Sequence, residues 1–321
     1  MTPPLQLSSP TPAFIVQLPD LELFHHYITV TSTTLSPDEP IAEFYRHGAV
    51  ELGFEHPFVL RLLLAFTAFH IASSLLDSPE SSWQNYERQG EAHTTAALED
   101  VRSLVSNMNE SNCQPLYLAA QMIALGHLGA GPKPGEYLAF GTAGATTWLH
   151  LLRGVRSIRS LAKDTLFTGK LAPLGSRQTD ETDEVTPRTA TREYSYSYER
   201  PLSLLRSRVE SDAGHQPFHL AELDGLEHCF LMQCEKANNI IFAWLYRASD
   251  EFVASLRKKE QISLVIFAHF AVLMKAIEGS WFARGWPGHI LEGVRREVEG
   301  VYAGWVEWPL QEIEGVGDGV D

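Results

Sequence analysis

His219 and His228 bracket Glu222, Asp224 and Glu227. Imidazoles and carboxylates so spaced are donor types that hold zinc. The same residues also suit the solvated start of a helix, where acidic groups complement free backbone N–H groups. The second reading is preferred, and no metal is expected. The acidic run DETDE, Asp180 to Glu184, is similar to the Asp-rich motif that holds magnesium in isoprenoid chemistry. That motif needs carboxylates on one helix face above an apolar cavity. This run sits among threonines in a polar stretch, so it reads as solvated loop. "GHLGAGPKPGE", Gly126 to Glu136, has the glycines of a phosphate loop. Such a loop needs a preceding strand and GK[ST] or GxGxxG in register. Here a helix precedes and Pro134 follows Lys133, so a helix end and a turn are expected. No serine stands in GxSxG, and no Cys/His/Asn signature is visible. His269, inside an apolar helix, reads as a hydrogen-bonded core histidine rather than a base. No catalytic residue and no cofactor are expected.

Charge narrows the partners. With 25 basic against 40 acidic side chains, the formal net charge is −15. Such a chain repels phosphate backbones, so no direct nucleic-acid binding is expected. The three cysteines, Cys113, Cys229 and Cys234, are too few for a disulfide framework, and none has CxxC spacing. An intracellular compartment fits, nuclear or cytoplasmic. The first residues, MTPPLQLSSPTPAF, lack the basic start and apolar core of a signal peptide. The stretch from Pro57 to Leu76 is apolar enough to be mistaken for a membrane span. Arg61 and His70 interrupt it, so a buried helix of a soluble protein is expected instead.

Helices must position these residues, because the apolar periodicity is helical. The expected fold class is all-α, a multi-helix single domain. Residues 1–18 read as a disordered Pro/Ser/Thr tail. Asp20 is the expected N-cap of a first helix that stops before Ser36-Pro37. "IAEFYRHGAVELGF" forms a second, and Pro57 opens the long apolar one. Ala97, Val101, Leu104 and Val105 mark the inner face of the next. After "PLYLAAQMIALGHLG", helix resumes at Tyr137, with Trp148, Leu152, Val155 and Ile158 near one face. Residues at about 170–217 read as a mobile polar loop, poor in aliphatics and punctuated by proline. Glu278-Gly279 stops a buried helix, and Pro287 opens the final amphipathic one, which ends at Trp308-Pro309. The helical domain then spans 19–312, with 313–321 as a tail. No strand alternation or hairpin signal is evident.

Aromatic side chains crowd the C-terminal third. Trp281 and Trp286 fall on the turn between the buried helix and the amphipathic one. Tryptophan is rarely spent on a surface turn, so the turn suits a pocket wall or an inter-helix wedge. A helical protein so rich in large apolar groups can also hold a dry cavity for a lipophilic ligand.

Six stretches follow one another in a definite order. They are "DLELFHHYITVTSTTLS" from Asp20, "FEHPFVLRLLLAFTAFHIA" from Phe54 and "LLRGVRSI" from Leu151, then "IFAWLYRASDEFV" from Ile241, "LVIFAHFAVLMKAIEGSWFARGWPGHI" from Leu264 and "WVEWP" from Trp305. In this order they resemble the regulatory domain of fungal Zn(2)-Cys(6) binuclear-cluster transcription factors, in the sterol uptake control branch. The resemblance covers about residues 19–312. It implies an all-helical regulatory domain that binds an apolar, sterol-like ligand. It also implies self-association, as a homodimer or as a heterodimer with a zinc-cluster factor. No catalytic residues are implied. Through its aromatic C-terminal segment it implies that Phe242, Phe270, Trp281 and Trp286 face the ligand. The family's zinc cluster needs six cysteines near the N-terminus, whereas the first here is Cys113. The chain is therefore expected to lack a DNA-binding head of its own. Two other readings stay open. The fold could serve as an apolar-pocket enzyme of fungal secondary metabolism, with His269, Glu278 or Asp250 as acid or base. Alternatively, it could be a dimerisation domain whose tryptophans only fill space.

Overall fold

The most apolar segments become the axes of the molecule. The computed structural model describes residues 17–76, 78–141, 158, 165–175, 198–233, 244–245 and 247–315. The fold is all-α, with thirteen α-helices among the described residues. In the N-terminal half, α1 (Leu18–Thr29) is followed by α2 (Glu39–Glu43). A π turn, Phe44–Gly48, carries α2 into α3 (Ala49–Glu55). α4 (Pro57–Ser74) is the axis of this half. Pro57 opens it, where no backbone N–H is needed. It is long and apolar enough to cross a membrane, yet 67% of it is buried within the protein. α1, α3, α5 (Glu80–Val105) and α6 (Cys113–Gly129) pack around it. α5 approaches through small residues. A Cβ on Gly90 would stand 2.6 Å from the Phe69 ring, and Ala97, two turns on, is fully buried.

A short hairpin follows, β1 (Glu136–Tyr137) and β2 (Phe140–Gly141), and then α7 (Ala172–Gly175) and α8 (Glu199–Ser211). The C-terminal half comprises α9 (Pro217–Gln233), α10 (Asp250–Arg257), α11 (Gln261–Lys275), α12 (Trp286–Glu297) and α13 (Glu307–Glu314). α11 is its axis and is buried almost all round. α9, α10, α12 and α13 pack against it. One hydrophobic core runs through both halves. The 3-10 turn Trp281–Ala283 leaves the C-terminal half and lies on α4 and α6.

Several boundaries differ from the sequence reading. α1 starts at Leu18, and Asp20 is its third residue rather than its cap. The Asp20 carboxylate accepts from the Gln17 backbone N–H at 3.0 Å. Pro19 in the first turn favours that earlier start. The polar segment 170–217 is not loop throughout, because α7 and α8 lie within it. α8 buries Leu202, Leu205 and Val209, a helical spacing masked by its many polar neighbours. Trp308-Pro309 does not end a helix; Pro309 sits in the first turn of α13, where proline fits. Ile313 is buried, so α13 continues into the expected tail. The helix expected from Tyr137 begins instead as the hairpin. Leu138 there takes a φ of 65° while fully buried, a conformation leucine adopts only when its surroundings enforce it. Trp148, Leu152, Val155 and the DETDE run lie outside the described residues; Ile158 is buried.

Candidate functional site

The joint between the two halves is built around Trp281. Lys275 ends α11, and Glu278 then organises the turn. Its carboxylate pairs with Lys275 at 3.1 Å and accepts from the Gly285 N–H at 3.3 Å. Gly285 has a φ of 77°, which favours glycine. The turn throws Trp281 against α4. Its ring stacks on His70, with centroids 4.6 Å apart, and meets Phe66 at 4.7 Å. Gly129 of α6 lies beneath the indole, and a Cβ there would stand 2.8 Å from the ring. The indole N–H donates to the Thr34 hydroxyl at 3.0 Å. Trp281 is half-buried. Trp286 is 1% exposed, and its N–H donates to the Leu128 carbonyl at 3.0 Å.

Phe270 lies elsewhere. It sits within an aromatic stack, 4.8 Å from Trp244 and 5.5 Å from Phe267. Among the described residues no ring contact joins it to either joint tryptophan. Phe242 lies outside the described residues. The structure thus places Trp281 and Trp286 at one joint and Phe270 in the core.

Sequence reasoning missed the polar ring around the joint. His26 and His70 both reach the Thr31 hydroxyl through Nδ1, each at 3.0 Å. Burial holds His70 down to about 4, and the neighbouring His26 adds to this. The hydroxyl has one proton, so it donates to one ring and accepts from the other. No local motif announces this, because Thr31 and His70 are 39 residues apart.

A second buried chain resembles a nucleophile and its base. His219 Nε2 lies 3.0 Å from Ser263 Oγ, Ser263 lies 2.6 Å from Ser255, and Ser255 donates to Glu260 at 2.5 Å. The Gln216 backbone N–H donates to His219 Nδ1 at 3.0 Å, so the ring proton sits on Nε2. Nε2 therefore donates to Ser263 and cannot take its proton. Every hydroxyl in the chain points its proton toward Glu260, and the arrangement is a structural tie. The acidic groups near His219 are also engaged. Glu222 accepts from the Ser249 N–H at 2.8 Å, while Asp224 and Glu227 pair with Arg206 at 2.5 and 3.1 Å. Among the described residues no group of three His, Cys, Asp or Glu side chains could hold a metal ion. His269 is buried and its Nδ1 lies 2.9 Å from the Val265 carbonyl. Burial lowers its pKa to about 4. Asp250 opens α10. Among the described residues no hydrogen bond or ion pair joins any two of His269, Glu278 and Asp250.

Fold and site together define an all-α domain with an aromatic joint between two helical halves. No protein-family model matches the chain. Its sequence is similar to sterol uptake control protein 2 of Saccharomyces cerevisiae, 26% identical over 146 residues, and to that of Candida albicans, 24% identical over 140. These matches cover 44% and 43% of this chain, but the chain spans only 15% and 18% of the relatives' lengths. The relation is one of distant homology.

Proposed function

We propose that this chain is the regulatory domain of a transcription-factor-like protein, acting inside the cell and in the nucleus, and that it senses an apolar, sterol-like molecule. The distant homology to the two sterol uptake control proteins carries the reading. Trp281 is the wall that moves. It is half-buried, and its polar anchor is a single hydrogen bond to Thr34. Swinging it outward uncovers Phe66 and the glycine surface of α6. Trp286, buried at the same joint, forms the fixed apolar floor, while Phe270 belongs to the separate core stack and takes no part in it. Movement at the joint shifts the two halves relative to each other, which is how occupancy reaches a pairing surface shared with a second copy or a zinc-cluster factor.

The test uses dehydroergosterol, a fluorescent sterol, with the full chain. Energy transfer from tryptophan, and a melting temperature that rises with sterol concentration, are expected. Trp281→Ala should weaken both. Absence of transfer and of any thermal shift would sink the sterol reading.

A further inference from the structure

A groove lies between α8 and the C-terminal turn and helix, away from the Trp281 joint. Arg200, Leu204 and Arg208 fall four residues apart on one face of α8 and form one wall. Trp305, at the end of the Gly300–Trp305 turn, and Trp308 of α13 form the other. His269 of α11 contributes to the lining between them. The space is half-open, with a volume of about 210 Å³.

Three features of this lining leave it open to a ligand. Leu204 is 50% exposed although it faces a cavity. Arg208 gives one N–H to the Gly304 carbonyl at 3.3 Å and lies over the Trp305 ring at 5.9 Å. Neither Arg208 nor Arg200 pairs with a carboxylate among the described residues. Arg46, Arg206, Arg295 and Arg296 each do. Glu307 is the one carboxylate of the lining, so two guanidiniums leave it net positive in a chain of net charge −15. His269 supplies the third feature. The Val265 carbonyl can only accept, so the His269 proton sits on Nδ1 and Nε2 is a bare acceptor. His269 is 2% exposed, and no donor among the described residues bonds to Nε2. Nε2 is not sealed in the core, and His269 lines the groove, so this acceptor is open to whatever occupies it.

Size limits the occupant. Sites for drug-sized ligands run to roughly 300–1,000 Å³, so this smaller groove suits a body of one or two rings. We infer that it binds a compact amphipathic hydroxy acid. The carboxylate sits on Arg208 and Arg200, the apolar body lies between Leu204 and Trp305, and the hydroxyl donates to Nε2 of His269. Arg208 is held over the Trp305 ring and by the Gly304 carbonyl, so part of its freedom is already lost before a carboxylate binds. This site uses none of the residues assigned to the sterol-like ligand, so either can fail without the other.

The probe is 6-hydroxy-2-naphthoate, titrated into the full chain by calorimetry, with 2-naphthoate and 2-naphthol as controls. The hydroxy acid should bind best. Losing the carboxylate should weaken binding by about tenfold or more, as expected for a hydrogen bond to a charged group. Losing the hydroxyl should weaken it measurably, because His269 is then left bare. Arg208→Gln should abolish the preference for the acids. Leu204→Glu, at an exposed position, should repel them without disturbing the fold, which circular dichroism checks. Failure of the hydroxy acid to bind overturns the inference. So does equal binding of all three probes, or binding indifferent to both variants. Equal binding of 6-hydroxy-2-naphthoate and 2-naphthoate, as a water on Nε2 would give, overturns the assignment of a hydroxy acid.

Discussion

Two tryptophan pairs in this chain have opposite fates. Trp281 and Trp286 bond across the chain, to Thr34 at a separation of 247 residues and to Leu128 at 158. Trp308 bonds to Glu312 in its own helix, four residues on, and Trp305 lies beneath Arg208. The first pair ties distant helices together; the second lines an open groove. The partner of the indole N–H, more than the ring's location on a turn, sets how firmly each ring is tied to distant parts of the chain. A long-range partner is lost when the ring moves, and a local one travels with it.

Acid should have the largest effect, since it acts on both regions. His70 and His127 flank the joint tryptophans, and His269 lines the groove. With His219, all are pushed by burial from 6.5 to about 4. Their folded pKa lies below the unfolded one, so the unfolded chain binds more protons between the two values. Stability is therefore full above about pH 6.5 and falls as pH drops toward about 4. Urea unfolding at stepped pH measures this. If the joint dominates, His70→Gln with His127→Gln flattens the slope; an unchanged slope breaks the comparison in favour of the groove.

Next in size is the loss of a joint tryptophan. Trp286→Ala removes a fully buried ring and one of the two hydrogen bonds to the Leu128 carbonyl, which keeps the Gly131 N–H, and should cost about 3–5 kcal/mol. Trp305→Ala should cost about half of that or less, because its ring is only partly buried. Similar losses at both positions, read from urea midpoints, would erase the distinction.

Much of this layout is legible in the sequence, and the reason is periodicity. α4 and α11 are apolar nearly all round, so only burial suits them. Pro57 and Pro287 mark true helix starts. The turn at Glu278-Gly279 is also real. What escaped was carried by single small residues or by distant partners. Gly90 and Ala97 make the α5 seam, and neither stands out in an apolar count. α8 hid because its buried residues are outnumbered by charged ones. The Thr31 ring, the His219 chain and the groove bring together residues from separate elements, so spacing along the chain says nothing of them. Trp281 and Trp286 were readable as a joint; Phe270's place in a separate stack was not.

Ser263→Ala and Gly129→Ala sharpen the comparison at an intermediate scale. The first leaves the His219 N–H without its acceptor and should cost about 1–3 kcal/mol with no change at the joint. The second drives a methyl into the Trp281 ring and should cost a similar amount, about 1–3 kcal/mol. Only the second should shift tryptophan emission to the red, as Trp281 is pushed toward solvent. A red shift from both variants would mean that the halves do not respond separately.

The smallest effect tests the joint most finely. Thr34→Val keeps the shape of the side chain and deletes the acceptor for the Trp281 N–H. Because Trp281 is half-buried, water can replace the lost partner, so the cost should be about 0.5–1.5 kcal/mol. The matched change in the groove region is Glu312→Ala, which frees the Trp308 N–H within its own helix. That bond is exposed and local, so its loss should fall within about 0.5 kcal/mol of no effect. Both variants remove the acceptor of an indole N–H, and Thr34→Val also removes the Thr34 hydroxyl's local bond to the Thr31 carbonyl. If Thr34→Val destabilises and Glu312→Ala does not, the long-range bond holds the two helical halves together. If both are neutral, Trp281 is held by stacking on His70 and Phe66 alone, and the Thr34 bond does not tie the two halves together.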